Sequence, residues 1–456
     1  MTRRRPLRPL AAAMMIALIA PGVAFGQTAK ERELEARIAQ LEAQVQALLQ
    51  TQQQTQATVA ETQTRLDEVR VAQGAADDGK PRIQSTPILT AANPNTAFSY
   101  GGFIKFDAMV TDTSDGAIAD GSSGRLFYVP STIPVVANGA EPDDDPYADF
   151  HAQFSRFWFS ADHVTEGGSK VKAYIEADMF GGGSNALVGN ETSTNTYAVS
   201  LRQAYVSWNN WLAGQTWSNF MDVAALPDAV DFVGVTDGTI FVRQAQLRYT
   251  SGPFSVSIEN PQTTITPYLS SAARFNSGNN VLPDITGRYV AKGDWGHFSV
   301  AGLLRQFKNG DESAGGASVS VSGKFNLGAS DDIRYMVNAG SGIGRYMAFG
   351  LGSDVVQDAS GDIDALDGYG GFVAWRHVFG PALRGNLMYS AAHFDNDPTI
   401  TGWGVTERSQ SFHANLIYSP IPKLDIGAEI GWGQRSLEDD RKGDLTRIHT
   451  HVKYSF

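Results

Sequence analysis

The chain has 456 residues, 48 acidic side chains against 36 basic ones, and no cysteine. The missing cysteines remove disulfides, thiol nucleophiles and thiolate metal sites, and a net charge of −12 argues against a nucleic-acid surface, which needs a basic face. No apolar run reaches the roughly 18 residues of a spanning helix, yet a barrel whose alternate residues are apolar escapes that test.

The chain opens with Arg3, Arg4, Arg5 and Arg8, a short apolar stretch over residues 11–20, and small residues at Ala24-Phe25-Gly26. That pattern reads as a signal peptide over 1–26. Residues 27–73 read as an α-helical coiled coil. Leu34, Ile38, Leu41, Val45 and Leu48 step by four and three, and the register continues through Gln52, Thr55, Val59, Thr62, Leu66 and Val69 without proline or glycine. The polar layers at Gln52, Thr55 and Thr62 would fix register and strand number at a cost in stability. A single amphipathic helix packed on a domain is the simpler alternative. As a coiled coil it would be a rod on the order of 60 Å long, and it implies an oligomer. Gly79, Pro81, Pro87 and Pro94 end the helix, making 74–96 a linker.

Residues 97–456 change period from 3.5 to two. In the first run, Tyr100, Ile104, Phe106 and Val110 alternate with Lys105, Asp107 and Thr111. Fifteen similar runs follow, near 152–162, 170–180, 197–207, 211–217, 240–250, 254–260, 284–291, 297–307, 318–327, 332–340, 369–379, 383–392, 408–419, 424–435 and 446–456. The last sets Ile448, Val452, Tyr454 and Phe456 against Arg447, His449, His451 and Lys453, and it resembles the closing strand of bacterial outer-membrane proteins. Short connectors such as Asn209-Asn210 and Gly380-Pro381 alternate with long ones such as 113–149, 218–238 and 341–366. Sixteen alternating strands with short turns on one rim and long loops on the other specify an all-β, 16-stranded antiparallel transmembrane β-barrel. The N-terminal rod and the C-terminus share the short-turn rim, which places the coiled coil in the periplasm.

Parity turns Arg288, Arg305, Lys324, Arg334 and Arg384 inward, joined by Lys105, Lys172 and Arg447; for Arg156, Arg202, Arg243 and Arg248, aromatics on both faces leave parity open. Inward acids are Asp107, Glu176, Asp178, Glu259, Asp425 and Glu429. The basic groups either draw carboxylate or phosphate solutes through bidentate bonds or only solvate the wall and pair with those acids. Residues 218–238 are long and mildly apolar, with Phe220, Asp222, Asp228 and Asp231. Exposed, such a loop would present apolar surface, so it is expected to fold into the lumen as a constriction; the alternative is a latch over a neighbouring subunit.

The stretches Tyr100-Gly101-Gly102-Phe103-Ile104-Lys105-Phe106-Asp107-Ala108, Leu201-Arg202-Gln203-Ala204-Tyr205-Val206, Gly214-Gln215-Thr216-Trp217-Ser218-Asn219-Phe220-Met221-Asp222 and Phe241-Val242-Arg243-Gln244-Ala245-Gln246-Leu247-Arg248-Tyr249 resemble the DcaP-like trimeric outer-membrane porins, as does the coiled-coil prefix. The resemblance implies a homotrimer in the bacterial outer membrane, in contact with its lipid, that takes up small anionic, dicarboxylate-type solutes. The function expected is passive diffusion with weak contacts that permit exit. A barrel that merely anchors a structural or tethering coiled coil is the alternative. A barrel enzyme would need a nucleophile and base together, and none of the eight histidines sits in such a motif. No catalytic residue, metal ligand, cofactor or nucleic-acid partner is therefore expected.

Overall fold

The computed structural model describes residues 95–136, 145–181, 195, 197–271 and 273–456. The expected signal peptide, the coiled coil over 27–73 and nearly all of the linker lie outside them. The strands in chain order are β1 (Thr96–Thr113), β2 (Tyr147–His151), β3 (Arg156–Val164), β4 (Lys170–Gly181), β5 (Ala198–Trp208), β6 (Trp211–Trp217), β7 (Arg243–Ser251), β8 (Phe254–Glu259), β9 (Thr264–Thr266), β10 (Phe275–Asn276), β11 (Asp284–Gly293), β12 (Gly296–Asn309), β13 (Glu312–Leu327), β14 (Asp331–Ser341), β15 (Val355–Gln357), β16 (Ile363–Ala365), β17 (Asp367–Gly380), β18 (Leu383–Phe394), β19 (Thr406–Ile421), β20 (Leu424–Leu437) and β21 (Lys442–Ser455).

Seventeen of these strands form one sheet, and the remaining four, in the order β10-β9-β15-β16, form a second. The large sheet closes on itself, because β1 pairs with β21 from Phe103↔Ser455 to Thr113↔Leu445 while its other edge pairs with β2 and β3. β2 and β3 are one stave interrupted at residues 152–155, so the barrel has sixteen antiparallel staves among the described residues. Closure leaves no sheet edge for lipid to meet, which is the condition for a strand structure in hydrocarbon.

Each of the sixteen runs read from the sequence carries a stave. β13 begins at Glu312, earlier than its apolar alternation, since Glu312-Ser313-Ala314-Gly315-Gly316 already pairs with β12 in the ladder. The small sheet lies within the long connectors 260–283 and 342–366, joined by the parallel pairing of β9 with β15. Strands of two or three residues are too short for a period to register.

The two faces of the wall differ as two solvents require. Ile104, Phe106, Val110, Leu387, Leu416, Ile430, Ile448 and Val452 are exposed on the outside. Their neighbours Asp107, Thr111, Asn386, Asn415, Glu429, His449 and His451 are buried on the inside. Near the short-turn rim the outer face carries Trp208, Trp211, Trp295, Phe325, Trp375 and Tyr454. Several lie against a cross-strand aromatic, such as Trp211 with Tyr249 at 4.8 Å and Phe325 with Tyr335 at 5.5 Å. Rings with one apolar and one wet edge suit a headgroup boundary.

Ile430 faces outward in the middle of β20. Ile430→Lys is expected to lower barrel stability in a bilayer by about 2–4 kcal/mol, measured as a shift in the urea unfolding midpoint in vesicles. An unchanged midpoint would mean that this face does not contact lipid.

Candidate functional site: a loop laid across the lumen

After Trp217 the chain leaves the wall and enters the barrel interior. Phe220, Met221, Ala225, Val235 and Ile240 join a buried cluster with Tyr346, Met347 and Leu351 of the 342–366 connector and Met336, Phe372 and Met388 of the wall. Phe220 and Tyr346 pack edge to face at 5.8 Å, a geometry worth about 0.5–1.5 kcal/mol beyond burial. The mild apolarity of 218–238 is thus spent on packing between the two inserted connectors.

Three walls hold the loop. On the β8–β13 side, the Asn219 backbone N–H donates to Glu259 at 2.8 Å and its amide to Thr286 at 2.9 Å. Asp222 pairs with Arg288 at 2.8 Å and with His297 at 2.8 Å, and accepts from Ser322 at 3.0 Å. On the opposite side, Asp228 accepts from Arg384 at 2.6 Å and lies 3.6 Å from Arg376. Val230 donates its N–H to Glu429 at 2.9 Å and accepts from the Lys105 ammonium at 2.9 Å. Asp231 accepts from the Tyr128 N–H at 2.9 Å and lies 3.6 Å from His449, which itself pairs with Asp107 at 2.8 Å.

The loop then returns along β14, β18 and β19. The Gly238 N–H donates to Ser390 at 2.8 Å, the Asn338 amide donates to the Gly238 carbonyl at 2.6 Å, and Ser411 and Tyr128 both donate to Asp237. A Cβ on Gly238 would collide with the backbone of Gly371 and Ala391, so only glycine lets the loop lie this close to the wall.

The basic side chains picked out by parity go to four fates. Lys105, Arg288, Arg334 and Arg384 hold the loop; Arg288 donates to the Met221 carbonyl at 2.9 Å and Arg334 to that of Leu226 at 2.5 Å. Arg305 and Arg447 hold other connectors. Arg305 sits between Asp284 at 3.2 Å and Asp354 at 2.5 Å, and Arg447 donates to Thr111 at 2.8 Å and to the Gly124 carbonyl at 2.6 Å. Arg202 is buried against Glu176 at 3.2 Å and Asp178 at 2.5 Å, and Arg248 donates to Gln246 at 2.8 Å and to the Trp217 carbonyl. Arg156 is held loosely, 3.5 Å from Glu176 and 3.8 Å from Asp178, and Lys324 has no partner among the described residues.

The arrangement also uses residues that sequence reading did not single out. Asp284 and Asp332 share parity with Thr286 and Arg334, so alternation could have found them. Asp354, Tyr128 and Asp237 lie in connectors and carry no periodic signal. Arg243 stands over the Trp217 ring at 4.9 Å, and Arg202 lies 5.1 Å from the Phe232 ring at the turn of the loop. Arg156 lies 5.9 Å from that same ring. Three guanidinium groups therefore gather around two aromatic rings of the loop region, with Glu176 and Asp178 as their carboxylates.

The loop carboxylates are tuned by these contacts. Burial alone would push the Asp222 carboxyl up, but the Arg288 charge and the His297 hydrogen bond outweigh it and hold the group below its ordinary value. Burial acts on Asp231 in the same sense, and the His449 ring 3.6 Å away holds it well below the ordinary range. A carboxylate lowered in the folded state contributes stability that is complete above its unfolded value of about 3.9 and lost as pH falls through the folded one. Current through single channels is therefore expected to keep one level from pH 8 to about pH 4 and to become unstable only below it. Loss of the level near pH 6 would show that these two carboxylates do not set the acid limit.

The model of the DcaP outer membrane protein family matches residues 149–456. The outer membrane channel DcaP of Acinetobacter baumannii superposes with a TM-score of 0.65 at 24% identity, over 80% of this chain and 99% of that one. OmpT of Vibrio cholerae gives a TM-score of 0.48 at 10% identity, over 80% of this chain and 99% of its own. An anion-selective porin from Comamonas acidovorans gives 0.48 at 10%, over 79% of this chain and 100% of its own. No curated protein matches the chain. By the family match over most of its length, the chain belongs to the DcaP outer membrane protein family, and its barrel is that of an outer-membrane porin.

Proposed function

We propose that the barrel is a passive diffusion channel for small hydrophilic anions of the carboxylate or dicarboxylate type. The observation that carries this reading is the cluster of Arg156, Arg202 and Arg243 beside Trp217 and Phe232. Three positive groups face two carboxylates, Glu176 and Asp178, and Arg243 has no carboxylate within ion-pair distance among the described residues. The Nη1 of Arg243 and the Nε of Arg156 are buried donors without acceptors. Unmet donors beside aromatic faces favour a planar anion that can accept from two guanidinium forks. Aqueous passage needs attraction strong enough for entry and weak enough for exit, and a cluster with one charge in excess meets both conditions. The 16-stave girth supports the same reading, since smaller barrels fill with their own side chains.

The expected homotrimer, with residues 27–73 as a periplasmic coiled coil, belongs to the same proposal and rests on the heptads and the family resemblance. Crosslinking of the protein in detergent is expected to give a trimer band, and removal of 27–73 to weaken it; a monomer alone would remove this part. If the rod were the working part and the barrel only its anchor, planar bilayers would show no conductance steps.

For the channel itself, reversal potentials in a KCl gradient are expected to show anion preference. Arg156→Gln with Arg243→Gln is expected to reduce the anion-to-cation permeability ratio by roughly two- to five-fold, the effect of half-buried charge contacts worth up to about 1 kcal/mol. Cation preference in the parent protein would overturn the reading.

A further inference from the structure

Lys324 occupies an unusual place in the register of the wall. On β13 it stands directly opposite His297 of β12 and directly opposite Arg334 of β14. Basic groups thus sit side by side on three adjacent strands, all facing the lumen. Like charges directly opposite in a sheet repel, and a neighbouring carboxylate ordinarily relieves the repulsion. Here the nearby carboxylates are already engaged. Asp222 is shared by Arg288, His297 and Ser322. Asp332 is shared by Arg334 at 2.8 Å and Arg376 at 3.2 Å. The Lys324 ammonium has no hydrogen bond and no ion pair among the described residues, and its side chain is half-buried rather than sealed.

Its neighbour has capacity left as well. Arg334 uses Nε on Asp332 and Nη1 on the Leu226 carbonyl, which leaves Nη2 without an acceptor. Directly opposed residues place their Cβ atoms about 5 Å apart, so one small oxyanion can accept from both side chains. The position is also set relative to the constriction. Lys324 stands level with two anchors of the loop, since the Leu226 carbonyl is held by Arg334 and Asp222 by His297, the residues directly opposite it.

We propose that Lys324, with the free edge of Arg334, is a contact site for the solute on the wall beside the loop. It receives one carboxylate or phosphate group as the solute passes the loop and lets it go again. The proposal deepens the anion-channel reading and rests on it. A flexible ammonium that is a strongly hydrated point charge gives a short-lived contact, as passage requires. Arg288 and Arg384, whose forks are fixed by three partners each, are too committed for this role, whereas Arg334 keeps one edge free.

The chain's lack of cysteine makes the test clean. In Lys324→Cys, an anionic methanethiosulfonate reagent is expected to modify the thiol and lower the current. In Lys324→Gln, brief blockades by inorganic phosphate are expected to shorten by roughly two- to five-fold, with Lys324→Arg restoring them and with heat-modifiable mobility on gels unchanged in all three. If the parent prefers anions and Lys324→Gln leaves phosphate residence unchanged, the contact site is wrong while the channel reading stands. If the Lys324→Cys thiol resists reagent from both sides of the bilayer, the side chain does not line the water path and the proposal falls. Cation preference in the parent defeats the channel reading, and the contact site with it.

Discussion

The interior of this barrel depends on one kind of interaction: a guanidinium of the wall binding a carboxylate or carbonyl of an inserted connector. Arg288 does this for Asp222 and Met221, Arg334 for Leu226, Arg384 for Asp228, Arg305 for Asp354 and Gln262, and Arg447 for Gly124. Arginine suits the task because its planar fork satisfies several acceptors at once and stays charged when dehydrated. Removal of one partner from such a buried pair leaves a charge without compensation, which costs about 3–5 kcal/mol. The connectors need this fastening because the lumen side of a wide barrel is polar and offers little apolar surface to pack against.

The same interaction decides what remains for solutes. Most inward basic groups are committed to structure, so abundance of arginine on the wall is a poor measure of anion affinity. Groups with donors to spare among the described residues include Arg156 and Arg243 on one side of the loop and Lys324 and Arg334 on the other. In the proposed channel, selectivity comes from the small surplus left after the scaffold has been neutralised.

Much of the wall was legible in the sequence. Two-residue alternation is imposed locally by two different solvents, so it appears in any window of eight residues; hence Ile448 and His449 declare their faces without knowledge of their neighbours. The insertion of 218–238 was legible for a related reason, since Phe220 and Met221 in a connector demand cover. The partners were not. Asp107 meets His449, and Arg435 meets the carbonyls of Ser131 and Ile133, across hundreds of residues that only closure of the sheet brings together. The break between β2 and β3 and the small β9–β15 pairing were invisible because neither spans enough residues to establish a period.

The three-sided attachment of 218–241 has a mechanical consequence. Anchors on β11–β13, on β20–β21 with β1, and on β14 with β18 must all part before the segment can swing, and rupture of any one leaves the others in place. The element in the middle of the passage therefore behaves as a rigid grating, whose mesh is set by side-chain volume and not by thermal breathing of the backbone. Discrimination by size is then built in at folding, and only exchange of side chains would change the dimensions of what passes.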